Sequence, residues 1–477
     1  MRPSADPVPI CVDLDGALLP VDTLQESLVR FLKRQPWQAW RILSWLAQGR
    51  AAFKQRLAVA APLDFSKLPV TEDFLKFLRE QQARGRKLVL ATGADFSSAQ
   101  RAAEHFGIFG EVLASDGRVN LTGHLKRTRL VERFGEGKFD YAGNSKADVP
   151  VWRAARQSIF VNAPAGVRKQ LSGIQPTELV FGETTGFLAT WRRALRLHQW
   201  AKNFLVFVPV IVGHKLKDWA VLGDAALGMV AFCACASSVY LINDLEDLES
   251  DRVHPTKQRR PFASGQLTPV AGLVAAPLLL LASVACGSFL PPTFLAYLAV
   301  YYVTSILYSQ VIKKLVLLDV FALAGLYTLR ILAGLAATGI RYSSWLLGFS
   351  MFIFLSLALL KRYIELLRLN LDGGNAAKGR GYVTGDLPLL LSLGLVSGGL
   401  ATLVLALYVN SDDVRLIYEH SLRLLLICPL VLYWISRVWL LATRNELHDD
   451  PVLFALKDRA SYVTGALAAF FIWLGSI

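Results

Sequence analysis

The sequence predicts two dissimilar bodies in one chain, an N-terminal α/β domain followed by an all-α membrane domain of about nine transmembrane helices. Three observations carry this reading. The first is an uneven distribution of charge. Of the 477 residues, 53% are hydrophobic and 18% charged, and the mean hydropathy of +0.40 is high for a soluble protein. Residues 1–186 nevertheless hold 26 Lys and Arg against 19 Asp and Glu, an ordinary soluble density, whereas the following 291 residues hold only 25 against 18. The second is a series of apolar runs after Gly186, several of them near the ~20 residues that cross a bilayer. The third is an apolar strand close to the N-terminus, PVPICVDLDGALLP, that runs out into two acidic residues. A uniformly soluble enzyme and an all-membrane protein are both excluded.

Charge and cysteine content narrow the function. The net charge is +14, which fits nucleic acid, an anionic membrane surface or a phosphorylated substrate. No zinc finger, arginine-rich arm or basic-region helix is present, so no nucleic-acid partner is expected. The five cysteines, Cys11, Cys233, Cys235, Cys286 and Cys428, form no Cys-x-x-Cys pair, and four lie in apolar runs. Neither a disulfide framework nor a zinc site follows. The stretch before the first strand has no apolar core of signal-peptide length, which places the first domain in the cytosol.

In the first domain, Asp13 at the carboxyl edge of the opening strand is positioned to attack phosphorus, and Asp15 two residues later to protonate the leaving oxygen. A second strand, RKLVLATGAD, ends at Thr92-Gly93, whose hydroxyl and amide can hold a phosphate ahead of the next helix. Lys126 follows in VNLTGHLKRT, and a third strand leads to FDYAGNSKADVPVW, where Asp148 can complete a Mg²⁺ site. A helical insert over 22–84 carries Trp37, Trp40 and Trp45 among Arg34, Arg41, Lys54 and Arg56. These tryptophans belong either to a core or to a membrane interface. The Gly-, Pro- and Thr-bearing stretch 166–190 reads as a linker.

In the second domain we expect spans near 203–217, 221–241, 268–288, 291–312, 315–339, 343–360, 387–409, 417–441 and 461–476. One set of connections carries Arg252, Lys257, Arg259, Arg260, Lys313, Lys314, Lys361, Arg362, Arg368, Lys378, Arg380, Arg444, Lys457 and Arg459. The other carries only Lys215, Lys217, Arg341 and Arg415. The rich side is expected to be cytoplasmic. There the second span runs into NDLEDLESD, in which Asn243, Asp247 and Asp251 recur every four residues and Asp244 borders them. On a helix these stack on one face. Such oxygen ligands suit Mg²⁺, which takes its remaining ligands from water and substrate phosphates. The basic run His254, Lys257, Arg259 and Arg260 can hold the outer phosphate oxygens. Lys202, Lys313, Lys361 and Arg362, with Tyr308 and Glu365 close to them in sequence, lie at span ends on the same side and are candidates for contact with an acceptor phosphate. Lysines at helix ends also snorkel to the interface.

These motifs carry two resemblances. Residues 8–165 resemble the haloacid dehalogenase-like phosphatases in DLDGALLPVDTL, LATGAD and YAGNSKAD. That implies a Rossmann-type domain with a small helical cap, Asp13 as nucleophile, Asp15 as acid/base, Thr92 and Lys126 on the phosphoryl group, and Mg²⁺ held by Asp13, Asp15 and Asp148 beside Asn144. Ala17 stands where that family usually has Thr, and Asn144 where it often has Asp. Residues 191–477 resemble the UbiA-type intramembrane prenyltransferases in their first aspartate-rich motif, N-D-x-x-D-x-x-x-D. LRLHQWAKNFLVFVP, HPTKQRRPFASG, YSQVIKK and KRYIEL resemble the polyprenyl-phosphate (decaprenyl-phosphate) phosphoribosyltransferase branch. NELHDDP, with His448, Asp449 and Asp450, resembles the same branch and implies at most a gating or capping role. Where the wider family carries a second D-x-x-x-D cluster, this chain has only Asp319, expected to pair with Arg330 or Lys314 or to meet substrate. The implied activity is Mg²⁺-dependent transfer of 5-phosphoribose from phosphoribosyl diphosphate to polyprenyl phosphate at a bacterial cytoplasmic membrane, followed by removal of the 5-phosphate by the first domain. An aromatic prenyltransferase and a non-catalytic lipid-binding scaffold are the alternatives.

Overall fold

The computed structural model describes residues 8–171, 178–182, 186–341, 344–371, 373–375, 379–411, 414, 418, 420–447, 451–455 and 457–476. Lys378, Arg415, His448, Asp449 and Asp450 lie outside these residues. Two compact units form, Met1–Leu195 with Tyr240–Ala276, and Arg196–Val239 with Pro277–Ile477.

The first unit is built on a six-stranded parallel sheet, β1 (Ile10–Val12), β2 (Leu88–Asp95), β3 (Glu111–Ser115), β4 (Asp140–Gly143), β5 (Gln157–Val161) and β6 (Glu178–Phe181), in the order β3-β2-β1-β4-β5-β6. Ile10 pairs with Leu88 on one side and Asp140 on the other. A parallel strand covered on both faces must be apolar throughout, and Ile10, Cys11 and Val12 are all fully buried. One face packs Ile10, Val12 and Leu90, and the other packs Cys11, Val89, Tyr141 and Trp152. Each such aliphatic or aromatic side chain contributes ~1.5–3 kcal/mol on burial. The chain winds outward to β3 and then restarts at β4 beside β1, so β1 and β4 flank a switch point where such sheets bind ligands.

The insert between β1 and β2 is smaller than its sequence implied. Helices α1 (Thr23–Arg34), α2 (Trp40–Leu46) and α3 (Arg50–Ala60) form a cap with its own core of Phe31, Trp45, Phe53, Leu57 and Ala61. Helix α4 (Glu72–Ala83) instead lays Phe74, Leu75 and Leu78 into the sheet core, as the crossover of a βαβ unit requires. The tryptophans divide accordingly. Trp45 is buried, whereas Trp37 and Trp40 are exposed. The stretch 166–190 is more than a connection, since it supplies edge strand β6, paired with β5.

Residues 240–276 fold against this domain. Backbone bonds from Asp247 N–H to Asn243 O (2.9 Å) and from Asp251 N–H to Asp247 O (2.8 Å) carry the helix Trp219–Glu246 on into Leu248–Arg252. Arg252 then donates two bonds to Glu26 of α1, at 2.6 and 3.0 Å, with both side chains about 5% exposed or less. Removing one partner of a buried ion pair strands the other charge, at a cost of ~3–5 kcal/mol. We therefore expect Glu26→Ala to lower the unfolding midpoint of the full chain by several degrees. Adding Arg252→Leu should recover part of the loss, and thermal unfolding followed by limited proteolysis reads both changes.

The remaining chain is helical. Six helices are long and apolar enough to cross a membrane: Trp219–Glu246, Pro269–Gly287, Leu318–Thr338, Ser344–Leu371, Thr384–Val409 and Leu422–Thr443. The count of nine is thus not reached among the described residues. Leu197–Val212 is short, Pro292–Gln310 contains Tyr297, Tyr301, Tyr302 and Tyr308, and Arg459–Ser476 opens on Arg459, Ser461 and Tyr462. In the second unit Leu359, Leu360, Tyr363 and Trp439 form the centre of the core. The Trp439 indole donates to Ser356 Oγ at 3.1 Å.

Candidate active sites

Asp13 leaves β1 at its carboxyl end, where its amide donates to Ala142 O of β4 at 2.9 Å. Lys126, on α5 (His124–Phe134), places its ammonium 3.0 Å from Asp13 Oδ2 and 3.5 Å from Asp148 Oδ1, with both acids and the lysine buried. The Lys126 ammonium also donates to Tyr141 Oη at 2.8 Å, and Tyr141 donates to Asp148 Oδ1 at 2.7 Å. Asp148 Oδ2 accepts from Ser145 N–H (3.0 Å), Ser145 Oγ (3.0 Å) and Asn144 N–H (3.2 Å). Burial acts against every charge here. It pushes the Asp13 carboxyl up to about 6 in spite of Lys126. For Lys126 the two carboxylates outweigh burial and raise the pKa. At Asp148, Lys126 and the Tyr141 and backbone donors overcome burial and lower it.

Asp15 is pushed up to about 8, by burial first and by the charge of Asp22 second. A carboxyl that holds its proton near neutral pH is suited to protonating a leaving oxygen. The hydroxyl absent at Ala17 is made good from the cap, because Thr23 donates to Asp15 through its N–H at 2.9 Å and its Oγ1 at 3.2 Å. Gly16 between the two acids has φ +77°, and a Cβ there would lie 1.9 Å from Asn144 Nδ2, so no side chain fits. Thr92 is fully buried, and its hydroxyl accepts from Ala94 N–H at 3.0 Å. Gly93, rather than Thr92, lines the cavity of about 380 Å³ that holds Asp13, Asp15, Lys126, Asn144 and Asp148.

Sequence reasoning missed Lys54 as a site residue, having named it only among the basic residues around the insert's tryptophans. It lines this cavity and donates to Gly93 O at 2.7 Å and Asn120 Oδ1 at 2.8 Å. Its only signal was a lysine on the cap's last helix, which nothing in the sequence links to Gly93.

The aspartate-rich segment has a different character. Arg260 Nη1 bridges Asp244 Oδ1 at 3.1 Å and Asp251 Oδ2 at 2.6 Å. The guanidinium expected to face phosphate is thus turned onto the acids. Burial raises the pKa of Asp251 against the opposing charge of Arg260. Among the described residues, two buried oxygens of the predicted ligand face, Asn243 Oδ1 and Asp251 Oδ1, accept no hydrogen bond, and the Lys257 ammonium lies 3.9 Å from the latter. Buried acceptors left without donors suit a cation. His254 and Arg259 are exposed, and His254 Nδ1 accepts from Thr256 N–H at 3.3 Å. Among the described residues no three His, Cys, Asp or Glu side chains converge into a closed metal cage. Mg²⁺ does not need one when a substrate diphosphate supplies oxygens.

In the second unit Asp319 is fully buried and pairs with Arg362, Nε to Oδ2 2.6 Å. Tyr382 donates to Asp319 Oδ1 at 2.5 Å, and Arg380 lies 3.9 Å away. The expected partners Arg330 and Lys314 are not the ones found. Arg362 also pairs with Glu365 and donates to Tyr308 Oη at 2.9 Å. Arg362, Tyr308 and Glu365 therefore come together, as a network centred on Asp319 and not as free phosphate contacts.

A model of the UbiA prenyltransferase family matches residues 204–474, more than half of the chain. The chain is a member of the UbiA prenyltransferase family. An uncharacterized protein, y4nM, of Sinorhizobium fredii is 36% identical over 465 residues, covering 97% of this chain and 90% of that one. A decaprenyl-phosphate phosphoribosyltransferase of Mycolicibacterium smegmatis is 36% identical over 178 residues, covering 36% of this chain and 56% of the relative. The solved structure of a UbiA homolog from Archaeoglobus fulgidus bound to GPP and Mg²⁺ covers 60% of this chain and 98% of that one at 17% identity, with a TM-score of 0.45. Six helices of spanning length and UbiA membership make this chain an integral membrane protein.

Other candidates fall into place around this UbiA-type helical unit. Lys202 is buried with its ammonium 5.7 Å from the Tyr327 ring centre, within cation–π range. Lys313 and Lys361 are half-buried at helix ends. Arg330, expected beside Asp319, has other partners. It is buried, donating to Asn203 Oδ1 at 2.8 Å and Tyr301 Oη at 3.0 Å.

Proposed function

We propose that this UbiA family member transfers 5-phosphoribose from phosphoribosyl diphosphate to a polyprenyl phosphate, and that its α/β domain then removes the 5-phosphate. The observation that carries the choice of donor is the state of Asp319. The acid at the place of the wider family's second cluster is neutralised by Arg362, Arg380 and Tyr382. That leaves the segment Asn243–Asp251 as the acidic face available to one metal–diphosphate. The M. smegmatis relative, by its name a decaprenyl-phosphate phosphoribosyltransferase, supports the same reading.

Asn243, Asp247 and Asp251 would hold Mg²⁺, with Asp244 kept in place by Arg260. The ion, when bound, offsets the charge that grows on the departing diphosphate. An acceptor phosphate oxygen attacks ribose C1 as the bond from C1 to the diphosphate oxygen breaks. The acceptor is already anionic, so no strong base is needed, and alignment is the protein's main task. Lys257, His254 and Arg259 would meet the outer oxygens of the diphosphate, and Lys202, Lys313 and Lys361 the acceptor. Arg362 acts by holding Asp319, Tyr308 and Glu365 in one arrangement. The lysine- and arginine-rich loops support a cytoplasmic position for this chemistry, at a bacterial inner membrane.

In the α/β domain Asp13 attacks the 5-phosphorus, the ester P–O bond breaks, and Asp15 gives its proton to the sugar oxygen. Water then attacks the aspartyl phosphate with Asp15 as base, releasing inorganic phosphate. Asp13 and Asp148, both buried beside Lys126, would hold the Mg²⁺ that this chemistry uses, with Asn144 next to them.

The test is mass spectrometry of the lipid formed from labelled phosphoribosyl diphosphate, polyprenyl phosphate and Mg²⁺ by the purified full chain. Polyprenyl-phosphoryl ribose is expected. A prenylated aromatic acid formed instead from prenyl diphosphate would overturn the donor assignment.

A further inference from the structure

We propose that Ser264–Thr268, the segment downstream of the aspartate-rich motif, walls the α/β domain's site and makes it select sugar phosphates; this rests on the phosphatase reading above. Three observations converge. Gly265 has φ +78°, and a Cβ there would lie 2.7 Å from the Pro20 carbonyl oxygen and 2.9 Å from Val21 Cγ1. The segment is therefore packed backbone-on-backbone against the loop that follows Asp15 and Gly16, a fit that only glycine allows. Thr268 lines the same cavity as Asp13, Asp15 and Lys126.

Gly16, Pro20 and Asn144 line that cavity and also a second one of about 650 Å³, whose other walls include Ser264, Gln266, Thr71 and Asn162. The two differ in chemistry. The first carries the carboxylates and lysines of the phosphoryl site, whereas among the described residues no side chain lining the second is ionisable. Its polar groups are amides and hydroxyls, some already fixed. Asn162 Nδ2 donates to Thr71 Oγ1 at 3.0 Å and to Gly16 O at 3.2 Å, and Gln266 accepts from Arg193. Phe187 adds an exposed aromatic face.

A phosphate next to an uncharged, hydrogen-bonding chamber of ligand size matches a phosphorylated polyol. The anion is drawn to Lys126 and the hydroxyls to the amides, while a second charged group would find no ionisable side chain among the chamber's described lining residues. The segment that shapes the chamber continues directly from the aspartate-rich motif, so the selectivity of one site is built by the polypeptide of the other.

The experiment measures phosphate release by the full chain with Mg²⁺ from ribose 5-phosphate and from p-nitrophenyl phosphate, which has no sugar. Ser264→Trp, which fills the chamber, should lower the ratio of kcat/KM for the sugar ester to that for the aromatic ester by about tenfold or more. Gln266→Ala, a milder change should the tryptophan variant not fold, should lower it by about threefold. The ratio cancels any loss of active fraction. An unchanged ratio in a variant that still hydrolyses both esters overturns the wall and leaves the phosphatase reading standing. A wild-type chain that hydrolyses neither ester, behaving like Asp13→Asn, overturns both.

Discussion

Asp13→Asn is expected to stop phosphate release while lipid-linked phosphoribose continues to form, so that the lipid product becomes heavier by one phosphoryl group. The effect should be about 10⁴-fold or more on kcat for the second step, as when the nucleophile of a covalent mechanism is removed. The geometry separates this from simple unfolding. Asp13 Oδ2 faces Lys126, which keeps Asp148 at 3.5 Å and Tyr141 at 2.8 Å when Asp13 loses its charge. The substituted amide also removes a carboxylate whose buried charge is only partly compensated, as its raised pKa shows. The variant should thus be at least as stable as wild type. Mass spectrometry of the lipid and a thermal unfolding curve read both statements. A product without the extra phosphoryl group in Asp13→Asn would mean that the α/β domain does not act on it.

How far such a site can be read from sequence depends on how local its determinants are. Asp13, Lys126 and Asp148 were legible because each sits at the end of a short apolar strand or on the helix beyond it, and a parallel sheet brings those ends together whatever the intervening chain does. Thr23 was not legible as the partner of Asp15, because it compensates for Ala17 from the first turn of the cap, and no local pattern shows that a lost hydroxyl has been replaced. The same holds for Lys54. The edge strand Glu178–Phe181 was hidden by its shortness and by the Gly, Pro and Thr around it, since pairing with β5 and not propensity makes it a strand. In the membrane unit the apolar runs gave the helices, but the tyrosines of Pro292–Gln310 and the interrupted Leu197–Val212 made a count of spans unreliable. The pairing of Asp319 with Arg362 is a tertiary choice among several cations at helix ends. The sequence left open a pairing with Arg330 or Lys314 or a contact with substrate, and Arg330 turned out to be held by Asn203 and Tyr301.

The aspartate-rich segment offers the second large effect. Asp251→Asn should lower transfer of phosphoribose by about 10²–10³-fold, the scale of losing one preorganised electrostatic contact at a developing charge. Part of the loss should return as Mg²⁺ is raised, because a carboxamide oxygen still coordinates the ion weakly. The fold should tolerate the change. Arg260 retains Asp244 at 3.1 Å, and the backbone bond from Asp251 N–H to Asp247 O does not depend on the side chain. Asp244→Asn provides the contrast. Asp244 Oδ1 is held by Arg260, whereas Asp251 Oδ1 accepts no hydrogen bond. Its loss should therefore shift the Mg²⁺ requirement less than that of Asp251. Transfer assayed across a Mg²⁺ titration for both variants checks the order, and equal shifts would mean that the oxygen left without a donor at Asp251 is not where the ion binds. Hydrolysis of a small phosphate ester by the α/β domain, measured on the same preparations, shows whether the first unit has kept its fold, since its nucleophile and acid lie outside the substituted segment.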